Sequence, residues 1–300
     1  MEVSVVVPTL NARDQLAGCL DSLTEHAPDA ERIVVNGPSS DGTTGMIQDR
    51  DDVDVLVELA DRQVTVARNA GIDYATGDCI AFVDQAATVT PTWREAIEDG
   101  LSTADAVTGP TTAQANGEAE MREPESRTIA GREVTYFNPG NVAFMRAVLD
   151  EFDGFDEYLE TGGSRDMAHR IAGQSYRVDW DDRMRLKREI GTDGGERTTN
   201  WSSKYRSLAY RLVKNYNLRP TVVRRLLAHA ATDCYTELRA IGNGDTRPSE
   251  WLRTGKNVLT NIGGGLKAGL GARRRDRSAR RNPSGRSTRG DRVVTIYDWR

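Results

Sequence analysis

Two apolar runs in this chain stop in turns whose polar side chains could hold a nucleotide. Val3–Val7 leads into Pro8-Thr9-Leu10-Asn11, and Arg32–Val35 leads into Asn36-Gly37-Pro38-Ser39-Ser40-Asp41-Gly42-Thr43. A third run, Cys79–Val83, closes on an acid, Asp84. In an open α/β sheet, ligands settle in the crevice outside the carboxyl ends of the strands. Amide, hydroxyl and carboxylate groups at three such ends therefore point to a bound nucleotide that carries a further group.

Those groups converge only if strands and helices alternate. Val3–Val7 reads as a buried strand, and Arg13–Leu23 as an amphipathic helix with Leu16, Cys19, Leu20 and Leu23 on one face. Arg32–Val35 and Val53–Leu59 read as strands, followed by a helix from Val64 to Ala75 that contains ARNAGI. Cys79–Val83 is a fourth strand, Thr92–Leu101 a helix behind Pro91, and Ala104–Thr108 another strand. This order predicts βαβ units and a mostly parallel sheet with flanking helices.

Gln114–Arg132 is polar and aperiodic and is expected to be a surface loop. Then come TYFNPGNVAFMR (Thr135–Arg146), a short helix to Phe152, and GFDEYLETGGSRDMAHRIAG (Gly154–Gly173). From Trp201 the pattern turns helical, with segments at Lys204–Tyr216, Pro220–Ile241 and Pro248–Leu259. Residues 273–292 hold nine Arg against two Asp, which reads as disordered or surface-bound chain. Val293–Trp299 could add a last strand. The expected units are an α/β domain over 1–200, a helical extension over 201–272 and an Arg-rich tail over 273–300.

Charge is distributed unevenly. Residues 1–200 carry 18 Lys/Arg against 38 Asp/Glu, and residues 201–300 carry 22 against 7. That is an acidic domain with a basic arm. Lys occurs only at 187, 204, 214, 256 and 267. An Asp-rich, Lys-poor chain suits concentrated salt, because carboxylate-rich surfaces stay hydrated there; a high-GC genome would also favour Arg over Lys. Cys19, Cys79 and Cys234 lie far apart with no CxxC pair, which speaks against a disulfide framework or a zinc site and for the cytosol. Met1-Glu2 leads directly into the first strand, so no signal peptide is expected. No run approaches the ~18 apolar residues that span a bilayer.

Taken in order, VSVVVPTLN, VVNGPSSDGT, ARNAGIDYATGDCIAFVDQ, NPGNVAFMR and GFDE resemble the GT-A glycosyltransferases of family 2. The resemblance covers residues 3–157. It implies that a nucleotide-diphosphate sugar binds at the strand ends and that the sugar passes to an acceptor with inversion. It places Pro8, Thr9 and Asn11 beside the base and ribose, Asn36 and Asp41 on the nucleoside, and Arg68 and Asn69 near the phosphates and ribose. Gly140 and Asn141 fall on the loop that approaches the donor sugar.

There are departures from the family pattern. The family's first Asp at the second strand end is Asn36 here, whose amide oxygen can still accept from uracil N3–H. The metal motif Asp-x-Asp reads Asp84-Gln85-Ala86, leaving one carboxylate for Mg²⁺ or Mn²⁺. Arg68 or another cation could neutralise the leaving group instead. The Glu-Asp pair that supplies the family's base is reduced to Asp166 within GGSRDMAHR, with Glu160 as the alternative carboxylate. A helix-surface ion pair for Arg68 and a dipole-stabilising role for Asp166 are the competing structural readings.

Trp201, Tyr205, Tyr210 and Tyr216 interleave with Lys204, Arg206, Arg211 and Lys214. This stripe suits either a helix lying on an anionic membrane or one packed on the catalytic domain. With the basic arm, the resemblance implies a peripheral enzyme at the cytoplasmic face of the membrane. It would be haloarchaeal and take UDP- or GDP-sugars to a dolichol-phosphate-linked acceptor for surface-protein glycosylation. No nucleic-acid module accompanies the Arg-rich tail. A non-catalytic nucleotide-sugar-binding protein is the rival from another class, and a sugar-phosphate nucleotidyltransferase lacks its expected N-terminal glycine loop here.

Overall fold

The computed structural model of the chain describes residues 1–113, 119–121, 124–188, 201–242, 248–286 and 292–300. In chain order the first half comprises β1 (Val3–Thr9), α1 (Arg13–His26), β2 (Glu31–Asn36), α2 (Thr43–Gln48), β3 (Val55–Leu59) and α3 (Val64–Tyr74). It continues with β4 (Cys79–Val83), β5 (Ala87–Val89), α4 (Trp93–Leu101), β6 (Ala106–Thr108), β7 (Thr111–Ala113) and β8 (Ala119–Met121). After these come β9 (Ser126–Ile129), β10 (Arg132–Thr135), β11 (Asn141–Met145), α5 (Arg146–Glu151), α6 (Gly163–Gly173), β12 (Val178–Trp180) and β13 (Leu186–Arg188). Three long helices, α7 (Trp201–Tyr216), α8 (Pro220–Gly242) and α9 (Pro248–Arg275), precede β14 (Val293–Asp298).

The main sheet has the order β12-β6-β11-β4-β1-β2-β3-β14. Strands β4, β1, β2 and β3 run parallel at its centre, β11 is antiparallel between β4 and β6, and β14 is antiparallel on the β3 edge. Successive side chains of a strand point to opposite faces, so a strand covered on both sides is apolar throughout. In β1, Val5 and Val7 join Leu16, Cys19, Leu20 and Leu23 of α1 on one face, while Val6 joins α3, α6 and α7 on the other. This fixes which ends of β1, β2 and β4 meet, and all three point their carboxyl ends into one crevice.

Several expectations fail for identifiable reasons. The polar stretch expected as a loop over 114–132 contains the β9–β10 hairpin, turned by Ala130 and Gly131, both at positive φ. Its residues carry no alternating apolar pattern because most of β9 is exposed. The third C-terminal helix runs on past Leu259 to Arg275 through five glycines. A Cβ at Gly265 would lie 2.4 Å from the Arg206 carbonyl, and one at Gly269 would lie 2.7 Å from that of Tyr210. Glycines four apart put α9 backbone directly on α7, so they serve close packing rather than breaking the helix.

The Arg-rich segment does not hang free where it is described. Asn282 donates to the Asp153 carbonyl at 2.8 Å, Arg286 pairs with Asp150 at 2.7 Å, and Arg292 pairs with Glu157 at 2.9 Å. Arg300 reaches Glu31 at 2.8 Å. The acidic first half and basic last third are partly spent on each other, so the segment straps the domain.

Helix α7 resolves the basic-aromatic stripe the same way. Tyr205, Tyr210, Lys214 and Tyr216 are buried against the α/β body, so this face is not presented to a membrane. No described helix is long and apolar enough to cross one.

Candidate active site

β1 pairs with β2 so that Thr9 stands opposite Asn36. The turns beyond them are tied together. The Ser39 hydroxyl donates to Asn36 Oδ1 at 2.7 Å, and the Asn11 N–H donates to Ser39 Oγ at 2.9 Å. The Ser40 N–H returns to Asn11 Oδ1 at 2.8 Å, with Asn11 in the left-handed region that Asn tolerates. Asn36 Nδ2 donates to Thr44 Oγ1 at 2.9 Å. The acceptor oxygen that a base N–H would use is thus held by a hydroxyl, which can rotate away. Thr9 Oγ1 is buried with no partner among the described residues, and Pro8 is partly buried beside it.

Asp41 has a local task. Its carboxylate accepts from the Arg13 N–H at 3.1 Å and from the Thr43 N–H at 3.1 Å, the first residues of α1 and α2. It therefore caps two helix N-termini that have no side-chain cap of their own. Burial would raise its pKa, but the Thr43 hydroxyl and the two amides outweigh that and hold it below the ordinary carboxylate value.

At the other side of β1, Arg68 of α3 is 8% exposed. Its guanidinium donates to Ser164 Oγ at 3.2 Å and to the Pro139 carbonyl at 2.8 Å, and it lies over the rings of Phe155 and Phe82. Its Nε is buried with no acceptor, and it forms no ion pair among the described residues. Burial pushes its pKa down to about 10, against the pull of Asp84. This is no surface ion pair: a buried cation is being kept in place by neutral groups.

Asp84 ends β4. Its N–H donates to the Gly140 carbonyl at 3.0 Å, and a Cβ on Gly140 would sit 2.9 Å from the Asp84 Cβ, so only glycine permits this approach. Oδ1 accepts from the Ala86 N–H at 2.9 Å, and Oδ2 lies 3.7 Å from the Arg188 guanidinium. Ala86 stands where a second acid was sought, and Gln85 between them accepts from the Leu10 N–H at 2.9 Å and fastens the ends of β1 and β4. Among the described residues no three His, Cys, Asp or Glu side chains gather around a metal position. A single carboxylate fits Mg²⁺ or Mn²⁺ only when a bound diphosphate and water supply the remaining ligands, which Mg²⁺ tolerates.

Three of the expected residues do not join this cluster. Asn69 is wholly buried and clamps the Phe155–Glu157 loop, donating to the Phe155 carbonyl at 2.8 Å and to Glu157 at 2.9 Å. Asn141 is wholly buried too, donating to the Met184 carbonyl at 2.7 Å and accepting from Trp93 Nε1 at 3.0 Å. Asp166 is buried among Lys214 at 2.7 Å, Arg170 at 3.0 Å and Asn215 at 2.9 Å. Both its oxygens are occupied by donors, and the side chain is wholly buried. Glu160 is exposed, one turn before α6, with Ser203 donating to it at 3.1 Å.

His169 is buried, with Nδ1 2.9 Å from the Tyr216 hydroxyl. Burial, then Arg211 and Arg225, hold its pKa well below the ordinary imidazole value.

Sequence reasoning missed Ser164 and Arg188. Ser164 sits where the family pattern calls for acids, which drew attention to what was absent rather than what was present. Arg188 falls in β13, a strand too short to read from periodicity.

Residues 4–153 match the family described as Glycosyl transferase family 2. The chain is 27% identical over 195 residues to the glycosyltransferase AglE of Haloferax volcanii, a match covering 58% of this chain and 62% of AglE. It is 36% identical over 112 residues to the uncharacterized glycosyltransferase YibD of Escherichia coli, covering 34% of this chain and 33% of YibD. The chain thus spans less than two thirds of the length of these curated relatives. Among solved structures, S. aureus TarS residues 1–349 in complex with UDP-GlcNAc aligns over 91% of this chain and 85% of that one, with a TM-score of 0.65 at 17% identity. The mannosyltransferase PcManGT of Pyrobaculum calidifontis, in complex with GDP-Man and Mn²⁺, aligns over 90% and 87% with a TM-score of 0.54 at 18% identity. At such identities the likeness shows the fold, which is GT-A.

Proposed function

Because the chain belongs to glycosyl transferase family 2, we propose that it moves a sugar from a UDP- or GDP-sugar to a lipid-linked acceptor, with inversion. The observation that carries this reading is the buried Arg68, held on the Pro139 carbonyl next to Gly140 and without an ion-pair partner among the described residues, a cation where a diphosphate would sit. Guanidinium groups bind phosphate oxygens bidentately, and a buried one loses little entropy in doing so. Asn36, freed from Ser39, would take the base, with Pro8, Thr9 and Asn11 flanking it. Asp84 would hold Mg²⁺ or Mn²⁺, which when bound would offset the charge gathering on the departing diphosphate.

In the step itself, the bond between the anomeric carbon and the β-phosphate oxygen breaks, and a bond from that carbon to the acceptor oxygen forms. The acceptor's proton passes to a carboxylate on the rim. Glu160, exposed just before the helix that presents Ser164 to Arg68, is the group we assign to it. Asp166 is then a positioning residue that holds α6 in register with Arg68. AglE comes from Haloferax volcanii, which accords with the Asp-rich, Lys-poor composition, and we read the acceptor as a dolichol-phosphate-linked glycan for cell-surface proteins. A peripheral place on an anionic membrane surface is supported by Leu218, Val223 and Leu227, exposed beside Arg219 and Arg224 at the start of α8.

The test is release of nucleoside diphosphate from a panel of UDP- and GDP-sugars in molar KCl with Mn²⁺ and a lipid extract. Turnover of one donor, lost in Arg68→Gln and in Asp84→Asn and reduced in kcat rather than KM by Glu160→Gln, is the expected result. Saturable donor binding with no turnover under any acceptor would overturn the catalytic reading.

A further inference from the structure

Around the C-terminal ends of α7 and α9, the structure builds a second concentration of positive charge. A cavity of about 420 Å³ is lined by Arg273, Arg274, Arg277 and Arg281, with Asn217 and Leu270 completing the wall. Arg132 and Arg219 stand close enough behind it to depress the Arg273 pKa. None of the four lining arginines has a carboxylate partner among the described residues. Arg273 donates only to the Lys214 and Asn215 carbonyls, at 3.0 and 3.2 Å. The nearest acid, Asp276, is buried, and its oxygens are already held by Ser278, Arg280 at 3.3 Å and the Asn282 N–H at 2.9 Å.

Like charges do not gather without cause. The same segment sends Arg286, Arg292 and Arg300 to acids, so counter-ions were within reach of this sequence, yet these four line an open space with no ion-pair partner among the described residues. The backbone is also spent on the arrangement. Arg281, which lines the cavity, adopts a positive φ of 46°, a conformation that costs energy in a residue other than glycine, whereas Asn217 at 65° is the ordinary left-handed cap of α7. Burial, then Arg219 and Arg132, hold the Arg273 pKa below the ordinary guanidinium value, and burial, then Arg273, do the same for Arg281 against the pull of Asp276.

We propose that this arginine-lined cavity is a second anion site that binds a phosphate ester or diphosphate. Planar guanidiniums with free N–H groups on several sides suit phosphate oxygens rather than a single carboxylate. The volume is enough for a diphosphate and a small polar attachment. The site is separate from the one around Arg68: its lining residues make no contact with Arg68, which is held by Ser164, Pro139, Phe82 and Phe155. No lining residue takes part in the sugar-transfer reading, so the two stand or fall independently. The phosphate could belong to a membrane-borne ester or to a free solute, and those two sources share the chemistry.

The experiment uses the full chain, the double substitution Arg277→Gln with Arg281→Gln, and Arg68→Gln. Isothermal titration with inorganic pyrophosphate should show binding that survives Arg68→Gln and weakens at least about tenfold in the double variant. In parallel, flotation with phosphatidylglycerol vesicles against phosphatidylcholine vesicles reads the membrane-borne source. Pyrophosphate binding without flotation assigns a soluble phosphate. Flotation on phosphatidylglycerol that the double variant loses assigns a lipid headgroup. Removing unneutralised cations should leave the melting temperature of the ligand-free double variant unchanged or raised, which a packing role for these side chains would not do. If neither pyrophosphate binding nor flotation changes in the folded double variant, the proposal is overturned.

Discussion

Two groups of buried charge lie on either side of α6, and they are built on opposite rules. Around Lys214 the charges close on themselves. Asp156 and Asp166 accept from Lys214 at 2.6 and 2.7 Å, Arg170 pairs with Asp166, and Tyr210 and Asn215 fill remaining lone pairs. Two carboxylates meet two cations with every group engaged. Around Arg68 the account stays open: one guanidinium, neutral acceptors, apolar rings and an Nε with no partner. Burying a charge costs free energy that only pairing and hydrogen bonds offset. A closed cluster has that offset inside the protein and reads as architecture. An open one draws its offset from a ligand.

The sharpest way to break this contrast is to open the closed cluster. Lys214→Met leaves Asp156 and Asp166 facing each other with only Arg170 as cation. Removing one partner of a buried ion cluster costs about 3–5 kcal/mol, and that loss is expected in urea unfolding of the variant. Adding Asp166→Asn to Lys214→Met should recover part of it, because balance is restored. A loss below about 1 kcal/mol would show that α7 is held on the domain by its apolar face alone.

The reverse change at the open cluster should behave differently. Arg68→Gln removes a cation that no carboxylate among the described residues pairs with, so the melting temperature is expected to stay level or rise. Donor affinity should instead fall by about 10- to 100-fold, the worth of one or two charge-assisted hydrogen bonds of about 1.5–3 kcal/mol. Destabilisation on the scale of Lys214→Met, with donor binding intact, would erase the distinction between the two clusters.

The contrast also explains what the sequence could and could not tell. Strand ends are legible because an apolar run stopping at Asn36 or Asp84 is a local signal, and residues 3–157 carry the family's order of segments. Asp84 and Arg68 lie near enough for the carboxylate to act on the guanidinium, though no ion pair joins them among the described residues. Asp166 was singled out because it was the one acid inside its motif, and nothing local announces that Lys214, forty-eight positions later, claims it. Asn69 and Asn141 were matched by position, yet their neighbours in space turn them inward. The strap of residues 276–286 was read as disordered or surface-bound, because charge content alone does not reveal that the matching acids lie on the same molecule.

The mildest comparison sits within the crevice, at Asp41. It lies in the segment assigned to the nucleoside, but its carboxylate is occupied by the Arg13 and Thr43 N–H groups. As a double cap it should be worth about 0.5–1 kcal/mol, discounted for its exposure to solvent. The sign of the pH dependence follows from its depressed pKa in the folded state. The stabilisation is fully present above the unfolded carboxylate pKa, near 3.9, and is lost as pH falls through the lower folded value. The difference in melting temperature between the protein and Asp41→Ala is therefore expected to be small and flat from about pH 8 to pH 5 and to shrink below about pH 4. Donor affinity measured alongside tells which kind of residue it is. A cap leaves affinity within about twofold when it is removed, whereas a ligand to the nucleoside loses more than the stability change, and Asp41 would then move from the closed class to the open one.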